Sequence, residues 1–191
     1  MTLAGVPVAT DPAGAHRILV YGVTGSGRSV AASRIAVRTG PPLTLVDELT
    51  WKPGWVPVAD QQQRELFTSL LAQDRWVLDT AYGAWLDIVL PRVELIVALD
   101  YPRWFSLQRL VRRTVMRIID KRPICDGNTE SVAGLFSRAS ILRWHFQSFT
   151  RKRKRMRQWA SAHDGPPVLM VKRAKNLDEW VSRFSPPGPA C

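Results

Sequence analysis

Residues 17–29 read RILVYGVTGSGRS, an apolar run that ends in a glycine-rich stretch. A short apolar run followed by glycines is typical of a buried strand in a parallel sheet. The glycine-rich stretch has the spacing G-x-x-x-x-G-R-S, the pattern of a phosphate-binding loop with arginine in place of the usual lysine. Its eight residues are Gly22, Val23, Thr24, Gly25, Ser26, Gly27, Arg28 and Ser29.

The residue types of this loop suit the binding of a nucleoside triphosphate. Glycines allow successive backbone N–H groups to turn inward toward phosphate oxygens, and the helix that follows adds the positive end of its dipole. Ser29 offers a hydroxyl to Mg²⁺, and Arg28 offers a cation to the terminal phosphates. Arginine is longer and planar, and it is hydrated differently from lysine. The loop therefore predicts ATP binding, whereas Arg28 puts the rate of turnover in question.

Apolar runs alternate with helical patterns along the rest of the chain, which predicts a three-layer α/β domain with a parallel sheet. The predicted strands are Arg17–Tyr21, Leu43–Val46, Trp76–Leu78, Glu94–Leu99 and Val168–Val171. The predicted helices are Ser29–Thr39, Gln61–Ala72, Arg103–Ile119, Ser140–Ala162 and Asn176–Phe184.

The same patterns divide the chain into segments. Residues 1–16 have no clear period and predict a flexible leader, and residues 185–191 predict a disordered tail. Residues 17–184 form the domain. Within it, residues 120–137 interrupt the alternation with Pro123, Gly127-Asn128 and Gly134 and lie inside the basic region, which predicts a short lid.

Bulk composition favours a soluble cytoplasmic protein. No apolar run reaches the roughly 18–20 residues of a transmembrane helix, and no basic residue precedes the apolar part of 1–16, as a secretory signal would require. The net charge is +11, and residues 101–157 hold 15 Lys/Arg against 3 acidic residues. A field of that sign attracts nucleotide phosphates, nucleic acid or an anionic membrane surface.

Several blocks resemble the adenylate-kinase-like small P-loop kinases, and in particular the bacterial adenylate kinase-like or DNA topology modulation proteins. The blocks are GVTGSGRS at 22–29, VDELTWKPGW at 46–55, WVLDTAY at 76–82, LDYPRWFSLQRLVRRTVMR at 99–117 and GNTES at 127–131. The resemblance implies a P-loop NTPase fold with the strand order 2-3-1-4-5. It also implies transfer of the γ-phosphoryl group of MgATP to a small acceptor such as a nucleoside monophosphate.

The resemblance also assigns roles to four residues outside the loop. Asp79 would hold Mg²⁺ together with Ser29, and Asp47, at the end of the second predicted strand, would face the acceptor substrate. A helix-cap role is the alternative for both aspartates. Arg109 and Arg113 would contact the donor phosphates and share the catalytic role with Arg28, because residues i and i+4 lie on one face of a helix.

Two other functions remain open from the sequence. The run RKRKRMR at Arg151–Arg157 is either a solvated helix face or a contact surface for nucleic acid, which would make the chain a nucleotide-dependent binding or regulatory protein with weak kinase activity. A dinucleotide-binding loop is the second, with Asp47 as the ribose-binding acid. It fits less well, because Val30 stands where that pattern needs a third small residue.

Overall fold

The structure, a computed structural model, describes residues 14–120 and 141–184. Its main sheet contains five parallel strands in the order β2-β5-β1-β6-β7. The strands of this sheet are β1 (Arg17–Gly22), β2 (Leu43–Thr44), β5 (Trp76–Leu78), β6 (Leu95–Leu99) and β7 (Val168–Val171). Counted along the chain within this sheet, the order is 2-3-1-4-5, which confirms the predicted fold and its topology.

Helices cover both faces of the sheet. In chain order they are α1 (Arg28–Thr39), α2 (Val46–Thr50), α3 (Asp60–Leu71), α4 (Leu86–Val89), α5 (Arg103–Asp120), α6 (Ile141–Ser161) and α7 (Ala174–Val181). Helices α1 and α7 contribute to one hydrophobic core, and α3, α4 and α6 contribute to the other. The domain therefore has three layers.

Strand β1 lies at the centre of the sheet and feeds both cores. Ile18 and Val20 pack with α1 and α7, whereas Leu19 and Tyr21 pack with α3 and α6. This division follows from the strand geometry, in which successive side chains point to opposite faces. All four side chains are almost fully buried, and burial of a large apolar side chain contributes about 1.5–3 kcal/mol. The strand that leads into the phosphate loop is thus anchored by packing in both hydrophobic cores.

The segment after β2 differs from the prediction. The predicted strand Leu43–Val46 ends at Thr44, and Val46 begins the short helix α2. Asp47 consequently lies in the first turn of a helix and not at the end of a strand. An antiparallel hairpin follows, formed by β3 (Trp51–Lys52) and β4 (Val56–Pro57). The sequence predicted neither element, nor the 3₁₀ turn Gly83–Trp85 and helix α4.

Three predicted segments fall on residues that the structure does not describe. They are nearly all of the leader, the lid at 120–137 apart from Asp120, with the GNTES block, and the tail at 185–191. Within the described ranges, no helix combines the length and the apolar character needed to cross a membrane.

Candidate functional site

Gly22–Ser29 forms a tight loop between β1 and α1, at the carboxyl end of the central strand. Gly25 and Gly27 adopt φ angles of +83° and +86°, a conformation that side chains with a Cβ rarely adopt. The N–H of Ser26 donates to the carbonyl of Val23 at 3.1 Å, which closes the turn. Helix α1 then begins at Arg28 with no side-chain cap, so its first N–H groups remain available to an anion.

Helix α5 packs directly on this loop. A Cβ at Gly25 would collide with the carbonyl oxygen of Ser106 and lie 2.8 Å from Cβ of Leu110. A Cβ at Gly27 would lie 2.8 Å from a guanidinium nitrogen of Arg109. Arg109 therefore lies against the loop, as its predicted role requires. Arg113 follows one turn later on α5 and is half-buried.

Helix α6 contacts the loop from another direction, through a residue to which the sequence assigned no chemistry. Nδ1 of the buried His145 lies 2.9 Å from the carbonyl oxygen of Thr24. Since a carbonyl can only accept, Nδ1 carries the proton and Nε2 is left without a hydrogen-bond partner. Burial lowers the pKa of His145, and the nearby cation Arg103 lowers it further, against the opposing effect of the Thr24 bond. The imidazole is thus held neutral.

Ser29 and Asp79 meet at the mouth of the loop. The Ser29 hydroxyl donates to Oδ2 of Asp79 at 2.6 Å, and the backbone N–H of Val46 donates to Oδ1 at 2.9 Å. Asp79 follows β5 directly and is only 1% exposed. The position of Asp79 is therefore compatible with both roles considered from the sequence, metal binding and helix capping. It faces the loop hydroxyl expected to bind a metal, and it caps the start of α2.

Arg28 extends from the loop toward the end of β5. Its guanidinium donates to the hydroxyl of Thr80, which is completely buried beside Asp79. This contact fixes the orientation of the side chain that replaces the usual lysine. Thr80 could not be singled out from the sequence, because nothing near it in the chain indicates which residue faces Arg28.

Asp47 lies on the α2 side of the site and accepts a hydrogen bond from the phenol of Tyr82. Burial raises the pKa of Tyr82 well above its ordinary value, and the negative charge of Asp47 raises it further. Tyr82 therefore remains protonated and holds the Asp47 carboxylate in place. Asp47 as a residue is partly exposed.

The basic run on α6 is largely engaged with the domain. Arg153 and Arg157 donate to the two oxygens of the buried Asp100, and Arg155 donates to the phenol of Tyr21. Arg151 lies over the ring of Trp144, and Lys154 is exposed. The solvated-face interpretation therefore holds for the exposed residues Arg151, Lys154 and Arg157 and not for the buried Lys152, whereas Arg153 and Arg155 are partly buried. Nucleic-acid binding through Arg151–Arg157 stays a prediction.

Comparisons with solved structures agree with the fold. The chain resembles a gluconokinase from Sinorhizobium meliloti, with 16% identity over 88% of this chain and 92% of that chain and a TM-score of 0.50. A sugar kinase from Janibacter sp. matches at 18% identity, 88% and 91% coverage and a TM-score of 0.48. A deoxyadenosine kinase from M. mycoides with bound dCTP matches at 10% identity, 87% and 96% coverage and a TM-score of 0.47.

At these identities the likeness shows the fold alone, an α/β architecture that this chain shares with the gluconokinase. No protein-family model and no curated protein matches the sequence.

Proposed function

We propose that the protein is a phosphotransferase that moves the γ-phosphoryl group of MgATP to a small acceptor, for which a nucleoside monophosphate is the first candidate. The observation that carries the proposal is the loop Gly22–Ser29, with Ser29 bound to Asp79 and Arg109 lying against Gly27. The solved kinases of similar fold and the resemblance to adenylate-kinase-like sequences support the same class of reaction.

On the donor side, the loop backbone and three arginines would bind the triphosphate. Arg28 and Arg109 are placed at the loop, and Arg113 follows Arg109 by one helical turn. Phosphoryl transfer requires little covalent help from the protein, because positioning and the neutralisation of charge supply most of the catalysis. A loop bordered by guanidinium groups is suited to that task.

The residues present fit a magnesium ion. Ser29 and Asp79 supply a hydroxyl and a carboxylate whose oxygens are 2.6 Å apart. Among residues 14–120 and 141–184, no group of three or more His, Cys, Asp or Glu is placed to hold a metal ion by itself. Magnesium typically takes one or two protein oxygens and completes its shell with substrate phosphates and water. When bound, it would screen the phosphate charges. Asp79 and Ser29 would orient it.

On the acceptor side, we assign Asp47 to the substrate. Its carboxylate is oriented by Tyr82, and the residue is partly exposed. The donor loop and Asp47 are linked through Asp79, whose second oxygen holds the first turn of α2. The two sides of the proposed site are therefore parts of one hydrogen-bonded arrangement.

The experiment that tests the proposal is transfer of labelled γ-phosphate from MgATP to a panel of nucleoside monophosphates and hydroxyl-bearing small acids, with a water-only control. Arg28→Ala should reduce transfer by about 10²–10³-fold, the typical loss when one transition-state contact is removed. Arg75→Ala is the matched control, because Arg75 is an exposed arginine just before the amino end of β5, whereas the loop lies at the carboxyl ends of the strands.

Transfer to one acceptor that survives Arg75→Ala and is lost in Arg28→Ala would support the proposal. A protein that neither transfers phosphate to any acceptor nor gains thermal stability from millimolar MgATP would contradict it.

A further inference from the structure

Lys152 is a buried basic residue in the middle of α6. It is 8% exposed and lies on the same helix face as the buried residues His145, Phe149 and Met156. Its ammonium lies 5.7 Å from the centre of the Tyr21 ring, at the end of the strand that leads into the phosphate loop. This position is unlike that of Lys154, which points to solvent two residues later.

Lys152 has no anionic partner in the part of the chain that the structure describes. No carboxylate lies within ion-pair distance of it there, and it donates no hydrogen bond. Its neighbours on α6 differ in this respect, since Arg153 and Arg157 both bind Asp100. The Tyr21 ring attracts a cation but supplies no full negative charge. An ammonium group at Lys152 therefore remains without an anion among the described residues.

The surroundings of Lys152 are those of the proposed site. Burial holds the pKa of Lys152 well below its ordinary value, Arg28 of the phosphate loop lowers it further, and Asp47 of α2 opposes them. Lys152 also shares its helix face with His145, which contacts the phosphate loop at Thr24, and its ammonium lies beside Tyr21 at the end of β1. A bound phosphate would supply the negative charge that the described protein does not.

The loop itself lacks an ammonium group. Position 28 is arginine, and its guanidinium is bound to Thr80. An arginine presents a planar fork with fixed directions, whereas a lysine presents a compact point charge with three donors. A lysine that reaches the loop from another helix or strand would bring a compact ammonium group to the site.

We propose that Lys152 is a phosphate-binding residue of this site, which supplies from helix α6 the ammonium charge that the Gly22–Ser29 loop lacks. The proposal rests on the proposed phosphotransferase function and adds one residue to its binding machinery. The ligand group is a phosphate anion, carried either by the nucleotide or by the acceptor.

The test is titration calorimetry of the full chain with two probes, inorganic tripolyphosphate and ATP, each with magnesium. Lys152→Met removes the charge while keeping the length and shape of the side chain, and Lys154→Met is the matched control on the exposed side of the helix. Loss of one charge-assisted phosphate contact should weaken binding of both probes by roughly tenfold or more. Lys154→Met should bind within about twofold of the unmodified chain.

A stability measurement separates binding from a structural role. Lys152→Met should raise the unfolding temperature of the ligand-free protein, because it replaces a basic group that is costly to bury with an apolar one. Lys152→Gln, which retains a polar side chain, should show the same loss of affinity and serves if the methionine variant does not fold.

Affinity for both probes that is unchanged in the Lys152 variants would overturn this inference and leave the proposed function standing. Failure of the unmodified chain to bind either probe would overturn both.

Discussion

Nδ1 of His145, in the second turn of α6, lies 2.9 Å from the carbonyl oxygen of Thr24 in the phosphate loop. The two residues are 121 positions apart in the sequence. Helix α5 presses on the same loop at Gly25 through Ser106 and Leu110. The loop is therefore supported by the last helix before residues 121–140 and by the first helix after them.

The neutral state of His145 predicts a pH-dependent stability. Because its folded-state pKa lies below the ordinary value of 6.5, the unfolded chain binds the proton more readily than the folded chain. The free energy of unfolding should thus fall as the pH decreases through 6.5. Urea denaturation across this range measures it. His145→Asn, whose amide can still donate to Thr24, should show a flatter pH dependence; an unchanged slope would contradict the assignment.

Crowding at Gly25 predicts a large effect of one added methyl group. Gly25→Ala should destabilise the protein by more than the roughly 1–2 kcal/mol expected for a positive φ alone, because its Cβ would also meet Ser106 and Leu110. Gly54→Ala is the matched control, since Gly54 has a φ of +77° but no atom within 4 Å of its added Cβ. Equal losses in urea denaturation would show that contact with α5 does not constrain the loop.

The contact between Ser29 and Asp79 predicts a magnesium-dependent phenotype. Asp79→Asn should weaken the binding of MgATP by about 10–100-fold while changing the binding of ATP in EDTA much less, because the lost charge is the one assigned to the metal. Calorimetry with and without magnesium measures both. Asp87→Asn, which alters an exposed partner of Arg64, is the control. Identical losses with and without magnesium would argue against a metal role for Asp79.

The ion pairs of Asp100 predict unequal effects of neighbouring arginines. Arg153 lies 2.6 Å from Asp100 and its side chain is 35% exposed, whereas Arg157 lies at 3.3 Å and is 59% exposed. Arg153→Ala should therefore destabilise the protein by about 1–2 kcal/mol and Arg157→Ala by less than about 1 kcal/mol. Chemical denaturation in low and high salt tests the ranking. An Arg157→Ala loss as large as that of Arg153→Ala would refute it.

The sheet could be predicted from the sequence because each of its strands is a short apolar run bounded by turn residues. Residues 17–22 and 95–99 show this most clearly, since both are nearly completely buried. A strand buried on both faces leaves a local mark in the sequence, namely an uninterrupted apolar run. Strand order followed from the family resemblance and is confirmed.

Helix α2 could not be predicted, and the reason is a long-range contact. The run LTLV continues the apolar pattern of a strand through Val46. Its N-cap, Leu45, has no side-chain cap, and the N–H of Val46 is instead satisfied by Asp79, 33 residues away. A helix whose first turn depends on a distant side chain carries no local start signal.

The residues of the candidate site also fall into two groups, those that could be predicted from the sequence and those that could not. Local spacing indicated the loop, because its three glycines lie within six residues, and the family resemblance indicated Arg109. Thr80, His145 and Lys152 were missed, since each faces the site only through the packing of distant elements. For Lys152 a weak indication exists: it stands three residues after Phe149 and four before Met156, within an apolar stripe.

The carboxylate of Asp79 has a consequence for how this sequence can change over generations. One oxygen is committed to the donor loop and the other to the helix that bears Asp47. A replacement at position 79 must satisfy two neighbourhoods at once, so single substitutions there have little freedom to persist. The contact at position 46 is made by the backbone N–H, which every residue except proline has, so it constrains the residue type there very little. Position 29 is different, since its contact requires a side chain that can donate, and we expect a hydroxyl-bearing residue to be retained there wherever Asp79 is retained.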